Sequence, residues 1–560
     1  MSLLIDVFGY LSIVLHGLTV TAQSAMLGGV LFLVLLARPL AGSLGPAGGK
    51  LLAGTSRIAA YAAVALIVCE GLTIAIQVAV LMNTVDLGLF DTLGAEFALA
   101  GLVKITVAAA IAIALFAGGA REGKGGTPSS MLLALVAVEL ASATLTTHAA
   151  ARIDGRGVLL VVSGLHQLGA AIWIGGIPCF LLALAYVQHG RGWRLVGARF
   201  SRMSMAGVGC ILLSGATMGV VYVGSVDGFY GTAYGVMVAA KIGMFSMLLL
   251  LGLGNYLLVE RLRADPATPV LRLRRFAEVE IGIGIAIFFA AASLTSVPPA
   301  IDLTHDRVTW AEIVERNTPA MPRLVSPQHD DLALPALQNR LDAEAAAQRA
   351  APQAAFTPGS GELPPRNAAD IAWSEYNHHW AGLFVVVIGL LALANQAGLR
   401  AARHWPLVFL GLAVFLFLRS DPEVWPLGEQ GFFASFRDVE VLQHRVFVVL
   451  ITAFAFFEWR VRTGSAKPGG WTSRHGALVF PIVTFLGGVL LLTHSHAIAN
   501  VRDQLLVEIT HTPIALASIA AGCARWLELR LNPPASRIAG WVWPACFIFI
   551  GAMLMLYREA

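Results

Sequence analysis

Long apolar runs recur along nearly the whole chain, separated by short polar connections. A run of about 20 apolar residues spans a bilayer, and a backbone inside lipid must satisfy its own hydrogen bonds, so each run predicts a membrane-spanning helix. We therefore expect an all-α polytopic membrane protein in a lipid bilayer. The pattern predicts fourteen helices, at approximately 8–37, 57–82, 97–118, 130–148, 158–188, 203–224, 233–259, 276–297, 379–397, 404–419, 440–459, 476–496, 506–528 and 538–556.

Arg and Lys are concentrated in alternate connections between these helices. The segments 191–202 and 261–275 are rich in arginine, whereas the connection with Asp86, Asp91 and Glu96 has no basic residue. By the positive-inside rule the basic connections are cytoplasmic, so we expect a bacterial inner-membrane protein with both termini in the periplasm. Because the basic residues follow topology and form no single patch, no nucleic-acid partner is expected.

One outward connection is long and rich in Pro, Ala and charged residues. It divides the chain into an eight-helix part at 1–300, a periplasmic segment at 301–375 and a six-helix part at 376–560. Within this segment, about 332–351 is predicted to form a short surface helix, and the rest is expected to be extended or irregular.

The eight-helix part shows signs of an internal duplication. Its first and fifth helices each place a histidine, His16 or His166, before a Gly-Gly pair, and its third and seventh helices carry Lys104-Ile105 and Lys241-Ile242. In the same way, Glu70-Gly71-Leu72-Thr73 of the second helix corresponds to Ser214-Gly215-Ala216-Thr217 of the sixth. The pattern indicates two four-helix repeats of the same orientation.

Charged residues interrupt several of the apolar helices, among them Glu70, Lys104, Glu139 and Lys241. Charge inside a membrane is costly and is usually paired or functional. A Glu–Lys pair in the bundle would let each charge offset the other, and proton coupling is the alternative interpretation.

Most histidines in the helices fall on the predicted periplasmic side, and neutral imidazole is a good ligand for copper. Taken singly, each is better interpreted as an interfacial or hydrogen-bonded side chain, and it is their shared side that indicates a metal site. His148 and His166 lie at similar depth on successive helices, so we expect them to approach one another. The candidate metal-binding residues are His16, His148, His166, His378, His379, His444, His494, His496 and His511.

The six-helix part is expected to hold its own outward metal or haem site. Its candidates are His378 or His379, His444, His494 or His496, and His511, because four helices each place an imidazole near the same end. His494 and His496 are two residues apart and point to opposite sides of a regular helix, so both bind one ion only where the helix is unwound.

Sulfur residues offer a possible path further into the bundle. Met237, Met244 and Met247 share a helix stripe with Lys241, and thioether sulfur suits Cu(I), although Met is also a common filler of apolar cores. The five cysteines form no C-x-x-C pair, so no disulfide framework is expected. Since the sequence has no P-loop, we do not expect primary transport. Since it has no Ser-His-Asp order and no HExxH motif, we do not expect an enzyme, and a haem-linked oxidoreductase is the alternative.

The fifth helix carries the motif that resembles a known family. His166-Gln167-Leu168-Gly169-Ala170-Ala171-Ile172-Trp173-Ile174-Gly175-Gly176 is similar to the His…Ala-Ala-x-Trp-x-Gly-Gly helix of CopD-type copper-resistance membrane proteins. The resemblance covers about 1–300, and the last six helices look like a C-terminal extension of longer family members. It implies transport of copper, as Cu(I) or Cu(II), across the inner membrane, beside a periplasmic copper-binding partner of the CopC type.

Two alternatives come from other functional classes. Histidines at equal depth on facing helices can bind haem b from both sides, which is typical of membrane electron-transfer proteins. A periplasm-facing copper sensor or assembly factor would instead bind the metal without moving it.

Overall fold

The computed structural model describes residues 2–85, 87–118, 126–187, 190–303, 307–332, 368–437, 439–464, 475–493 and 501–559. Within these ranges the chain is mostly helical and has no β-strand. Thirteen described helices are long and apolar enough to cross a membrane. These findings confirm the predicted all-α polytopic membrane protein. The chain forms two compact units, one of residues 1–229 and 237–305 and the other of residues 230–236 and 306–560.

The chain up to residue 303 contains eight long helices in its described part. Short helices at Leu89–Leu93, His148–Ala151 and Val226–Tyr230 lie in the connections. The long helices are α1 Ser2–Phe32, α2 Pro46–Thr84, α3 Glu96–Gly118, α4 Ser129–Thr144, α5 Arg156–Tyr186, α6 Gly190–Tyr222, α7 Ala233–Ala264 and α8 Leu271–Leu294.

The described residues from 307 onward contain six further long helices. They are α9 Ala368–Gln396, α10 Arg400–Arg419, α11 Val439–Thr463, α12 Val479–Thr493, α13 Val501–Arg530 and α14 Ala535–Met555. The expectation of irregular chain is wrong at Trp310–Asn317, a helix opened by a capping box of Thr309 and Glu312. The surface helix predicted at 332–351 falls almost entirely outside the described residues.

Several helices begin earlier than the apolar runs do. α2 begins at Pro46 and α6 at Gly190, although their apolar runs start only at 57 and 203. The added turns carry polar residues such as Lys50 and Arg191, and a helix can continue past the lipid into water where hydropathy no longer marks it.

α4 is shorter than the predicted run 130–148. It has 16 residues and ends at Thr144, and the chain restarts as the short helix His148–Ala151. His148 therefore begins a separate element, which changes the direction of its side chain relative to α4.

α1 and α5 cross with their backbones in contact. A methyl group built on Gly175 would lie 1.9 Å from the carbonyl oxygen of Ser24, and one built on Gly28 would lie 2.3 Å from that of Ala171. Only glycine allows such an approach. Ala171–Gly175 forms a π turn within α5, so the crossing lies where the regular hydrogen-bond pattern of that helix changes.

Aromatic side chains, with Arg462 packed against them, form part of the core of the second unit. Trp405, Phe480 and Trp543 are each 1% exposed, and the Arg462 guanidinium carbon lies 4.5 Å from the centroid of the Trp405 ring. Arg462 also pairs with Glu458 at 2.7 Å. The buried positive charge is thus neutralised and stacked on an aromatic face.

Candidate functional sites within the helices

His166 on α5 faces α6 and α7 inside the first unit. Its Nδ1 lies 3.0 Å from Ser214 Oγ, and Lys241 is close enough for its charge to act on the imidazole. Ser214 donates its own hydrogen to the carbonyl of Cys210 at 2.6 Å. The Ser214 oxygen therefore accepts from His166 Nδ1–H, which leaves the lone pair of the neutral ring on Nε2.

Sulfur side chains lie on the helices that face His166. A methyl group built on Gly169, one turn after His166, would touch Cys210 Cβ at 3.0 Å, so Cys210 lies in the close contact between α5 and α6. On α7, Met237 and Met244 are one turn to either side of Lys241 and are 1% and 0% exposed. Imidazole, thiol and thioether groups thus occur along neighbouring faces of α5, α6 and α7.

A second polar cluster is formed by α1 to α4. Lys104 Nζ pairs with Glu70 Oε1 at 2.7 Å, and both side chains are buried, which confirms the predicted intramembrane Glu–Lys pair. Glu139 is 0% exposed and neither of its carboxyl oxygens has a hydrogen-bond partner among the described residues. The charges of Lys104 and Glu70 act on Glu139, and that of Lys104 acts on His16.

The two clusters share one layout. In each, a histidine on the first helix of a predicted repeat lies beside a lysine on the third, His16 by Lys104 and His166 by Lys241. They differ at the second helix, where Glu70 in one cluster corresponds to Ser214 in the other. Among the described residues, no carboxylate lies within ion-pair distance of Lys241.

His148 lies at the start of its short helix, near the end of α8. Its Nε2 is 3.4 Å from the carbonyl oxygen of Leu294, and its ring lies 6.4 Å from that of Tyr222. Burial lowers the pKa of His148; Arg152 lowers it further, whereas the Leu294 carbonyl and Asp302 act in the opposite direction.

His148 and His166 contact α6 at different levels. The partner of His148 is Tyr222 and that of His166 is Ser214, eight residues or about 12 Å apart along the helix axis. The two imidazoles have no described partner in common. Their joint site stays a prediction.

Two histidines of the second unit face Tyr557. The ring of His378 on α9 stacks on Tyr557 at 4.0 Å, and that of His511 on α13 meets it edge-on at 6.2 Å. Nδ1 of each ring lies 2.9 Å from the carbonyl four residues earlier in its own helix. The structure thus gathers two of the predicted residues around one aromatic side chain.

His379 on the same helix is held by the backbone. Its Nδ1 accepts from the Arg323 amide at 2.7 Å, and its Nε2 donates to the Tyr557 carbonyl at 2.9 Å. Both ring nitrogens are engaged, so a metal at His379 would have to displace one of these bonds.

His444 pairs with an acid that the sequence analysis does not identify. Its Nδ1 lies 2.6 Å from Asp421 Oδ1, and the Asp421 side chain is 3% exposed. A carboxylate in this position fixes the orientation of an imidazole. His494 and His496 lie outside the described residues.

No group of three or more His, Cys, Asp or Glu side chains suited to hold a metal ion occurs in the described ranges.

Glu280 on α8 is a buried acid that is not among the predicted candidates. It accepts hydrogen bonds from Asn255 at 2.6 Å and from Trp173 at 3.3 Å. The signal for Glu280 is its charge within an apolar run.

Comparison with known proteins gives two matches. Residues 194–294, from α6 to α8, match the family model described as Copper resistance protein D. Copper transport protein CutJ of Bacillus subtilis (strain 168) is 34% identical over 163 residues, which cover 28% of this chain and 29% of that relative. The match thus spans less than a third of the relative's length. No solved structure matches the chain. The resemblance to the CopD-type family is confirmed over this part of the chain.

Proposed function

We propose, from the resemblance to the CopD-type family and the geometry at His166, that this chain moves copper across a bacterial inner membrane. One observation carries the proposal: an imidazole oriented by a hydroxyl inside the bundle, beside sulfur-bearing helix faces. Ser214, which orients the imidazole, and the sulfur residues Cys210, Met237 and Met244 lie in the segment that matches Copper resistance protein D. On this proposal the chain is a carrier and not an enzyme.

The donor set favours the reduced ion. Imidazole binds both copper oxidation states, whereas thiol and thioether sulfur select Cu(I). Since Ser214 holds the Nδ1–H of His166, the Nε2 lone pair is the one available for copper in the neutral ring. A single imidazole with one or two sulfur ligands gives a weak, open site, which suits an ion that must leave again.

The charge next to His166 is compatible with a passing cation. The two acids Glu70 and Glu139 keep Lys104 within their cluster, next to His16, so a copper ion at His16 would meet its positive charge. Lys241 has no described carboxylate to fix it, and the flexible stem of a lysine lets its ammonium move away. We therefore assign the copper path to the α5–α7 side of the first unit.

Capture at the membrane surface is assigned to the end of the bundle where His148 lies. If the positive-inside rule holds, this end faces the periplasm. Burial lowers the pKa of His148, so its imidazole is neutral at neutral pH and suited to bind a metal. A periplasmic copper-binding protein of the CopC type would deliver the ion there.

Copper uptake by proteoliposomes tests the proposal. His166→Ala should abolish uptake, and Ser214→Ala should lower copper affinity by about 10- to 100-fold, the usual effect of losing the group that orients a metal-binding imidazole. The control is His404→Ala, whose imidazole accepts from Trp459 in the second unit and should leave uptake unchanged. Full uptake by the His166→Ala protein would overturn the assignment of His166.

A haem site in the second unit is the second candidate. The observation in its favour is that His378 and His511 approach Tyr557 from two helices, each with Nδ1 at a carbonyl of its own helix, as in imidazoles whose Nε2 binds a metal. The absorption spectrum of the purified protein decides between the candidates. A Soret band that disappears in His511→Ala would support haem binding, and copper without a Soret band would exclude it.

A further inference from the structure

Glu139 on α4 lies outside the proposed copper path and has no hydrogen-bond partner among the described residues. Its side chain is fully buried, and both carboxyl oxygens lack a hydrogen bond among the described residues. A buried carboxylate without hydrogen bonds costs several kcal/mol, so the fold retains Glu139 at an energetic cost. Such residues inside a membrane are usually functional.

The charges around Glu139 do not balance when every acid is ionised. Lys104 provides one positive charge, and Glu70 and Glu139 would provide two negative charges. Glu70 forms an ion pair with Lys104 at 2.7 Å, so Glu139 is the acid whose negative charge is not compensated. One additional positive charge makes the cluster neutral, and a proton on Glu139 is the smallest such charge.

The neighbouring helices provide few other titratable groups. α3 contributes Lys104 and α2 contributes Glu70, and both act on Glu139 through their charges. α1 contributes His16, whose neighbour is Lys104. α5 approaches α4 where Gly164 faces Thr144. No charged residue in the described part of α5 acts on Glu139.

We propose that Glu139 is a proton-binding site within the membrane, which takes up a proton from one side and releases it when Lys104 moves toward it. Resting on the proposed copper transport, this site couples copper movement to proton movement. A metal ion is the poorer occupant, because no three ligands converge in the described residues. Loading and release need only a small displacement of Lys104, since its charge already acts on both acids.

A second buried acid in the same unit provides a control. Glu280 on α8 is also buried, at 3% exposed, but it accepts hydrogen bonds from Asn255 and Trp173. Glu139 and Glu280 are thus both buried, but Glu280 has hydrogen-bond donors, whereas Glu139 has the charges of Lys104 and Glu70 acting on it and no hydrogen bond among the described residues. We assign proton uptake to Glu139 and a structural role to Glu280.

Infrared difference spectra of the purified protein test proton binding without any copper. Between neutral and alkaline pH, a range in which exposed carboxyls stay ionised, the wild type should show the carbonyl band of a protonated carboxylic acid. This band should be absent from Glu139→Gln and present in Glu280→Gln. Size-exclusion elution at the wild-type volume verifies folding, and Glu139→Asp, which keeps the acid, should retain a shifted band. A band unchanged in Glu139→Gln, or absent from the wild type, would overturn the proposal.

Proteoliposomes with a pH-sensitive dye test the coupling. We expect copper uptake by the wild type to move protons and to change several-fold with an imposed pH gradient. Uptake by Glu139→Gln should lose this dependence, whereas Glu280→Gln should keep it. If neither the wild type nor any variant moves copper but the infrared band still depends on Glu139, the proposed copper transport is refuted and the proton site is retained. If Glu139→Gln takes up copper with an unchanged dependence on the pH gradient, the coupling is refuted, whereas copper transport and the proton site are not.

Discussion

Replacing Lys104 should destabilise the first unit more than replacing its partner Glu70. The two groups lie 2.7 Å apart with side chains 4% and 7% exposed, and the charge of Lys104 also acts on Glu139. Lys104→Met leaves two buried carboxyls without a cation, whereas Glu70→Gln leaves Lys104 with Glu139. Since breaking a buried pair costs about 3–5 kcal/mol, we expect Lys104→Met at the upper end of this range and Glu70→Gln at the lower end.

The measurement is the free energy of unfolding in detergent, followed by circular dichroism during denaturant titration. The double variant Lys104→Met with Glu70→Gln should recover much of the loss, because the two effects are not additive for groups in contact. Arg263→Met is the control, since Arg263 pairs with Glu260 on the surface and should cost less than about 1 kcal/mol. Equal losses in Lys104→Met and Arg263→Met would refute the reasoning.

Three further changes probe other features, each measured by thermal unfolding. Gly175→Ala places a methyl group on a backbone carbonyl and should cost at least about 1–3 kcal/mol, whereas Gly219→Ala, with open space around it, should be neutral or stabilising. Burial lowers the pKa of His148 from 6.5, so just below this pH the unfolded chain binds a proton that the folded chain does not. The free energy of unfolding should therefore fall as pH drops below 6.5, and it should fall less steeply in His148→Gln. Arg462→Lys loses a guanidinium stacked on a buried indole and should cost about 1–2 kcal/mol, against no change in the exposed Arg460→Lys.

Hydropathy predicts the helices well because lipid leaves the backbone no other structure. It predicts their ends poorly. α2 continues from its apolar run back to Pro46 through Lys50, since the hydrogen bonds of a helix do not depend on whether lipid or water surrounds it. The Lys104–Glu70 pair is predictable for a similar reason. An unpaired charge in lipid, like an unsatisfied backbone group, raises the free energy of the folded state, so a buried Lys and Glu on neighbouring helices are expected to pair.

The partners of the histidines are harder to predict. Depth along a helix is visible in the sequence, but the direction of a side chain around the helix axis depends on where the helix breaks. α4 ends at Thr144 and places His148 on a new element, away from the level of His166. The repeat pattern aligns Ser214 with Glu70 but does not identify it as a partner of His166, and Asp421 carries no signal for His444, because a hydroxyl or an acid becomes a partner only through the tertiary packing that brings it to an imidazole.

The sharing of Lys104 between two acids also restricts how this cluster can change during evolution. A lineage that loses Lys104 first must pass through a chain with two unbalanced buried acids, whereas one that loses Glu139 first gives up a group with no hydrogen bond to break. If Glu139 carries the coupling proton, it should be lost only in relatives whose copper uptake does not depend on a pH gradient. In those relatives its loss should precede any change at positions 70 and 104, which should then change together. An alignment of relatives in which position 104 becomes neutral while both acids remain would contradict this order.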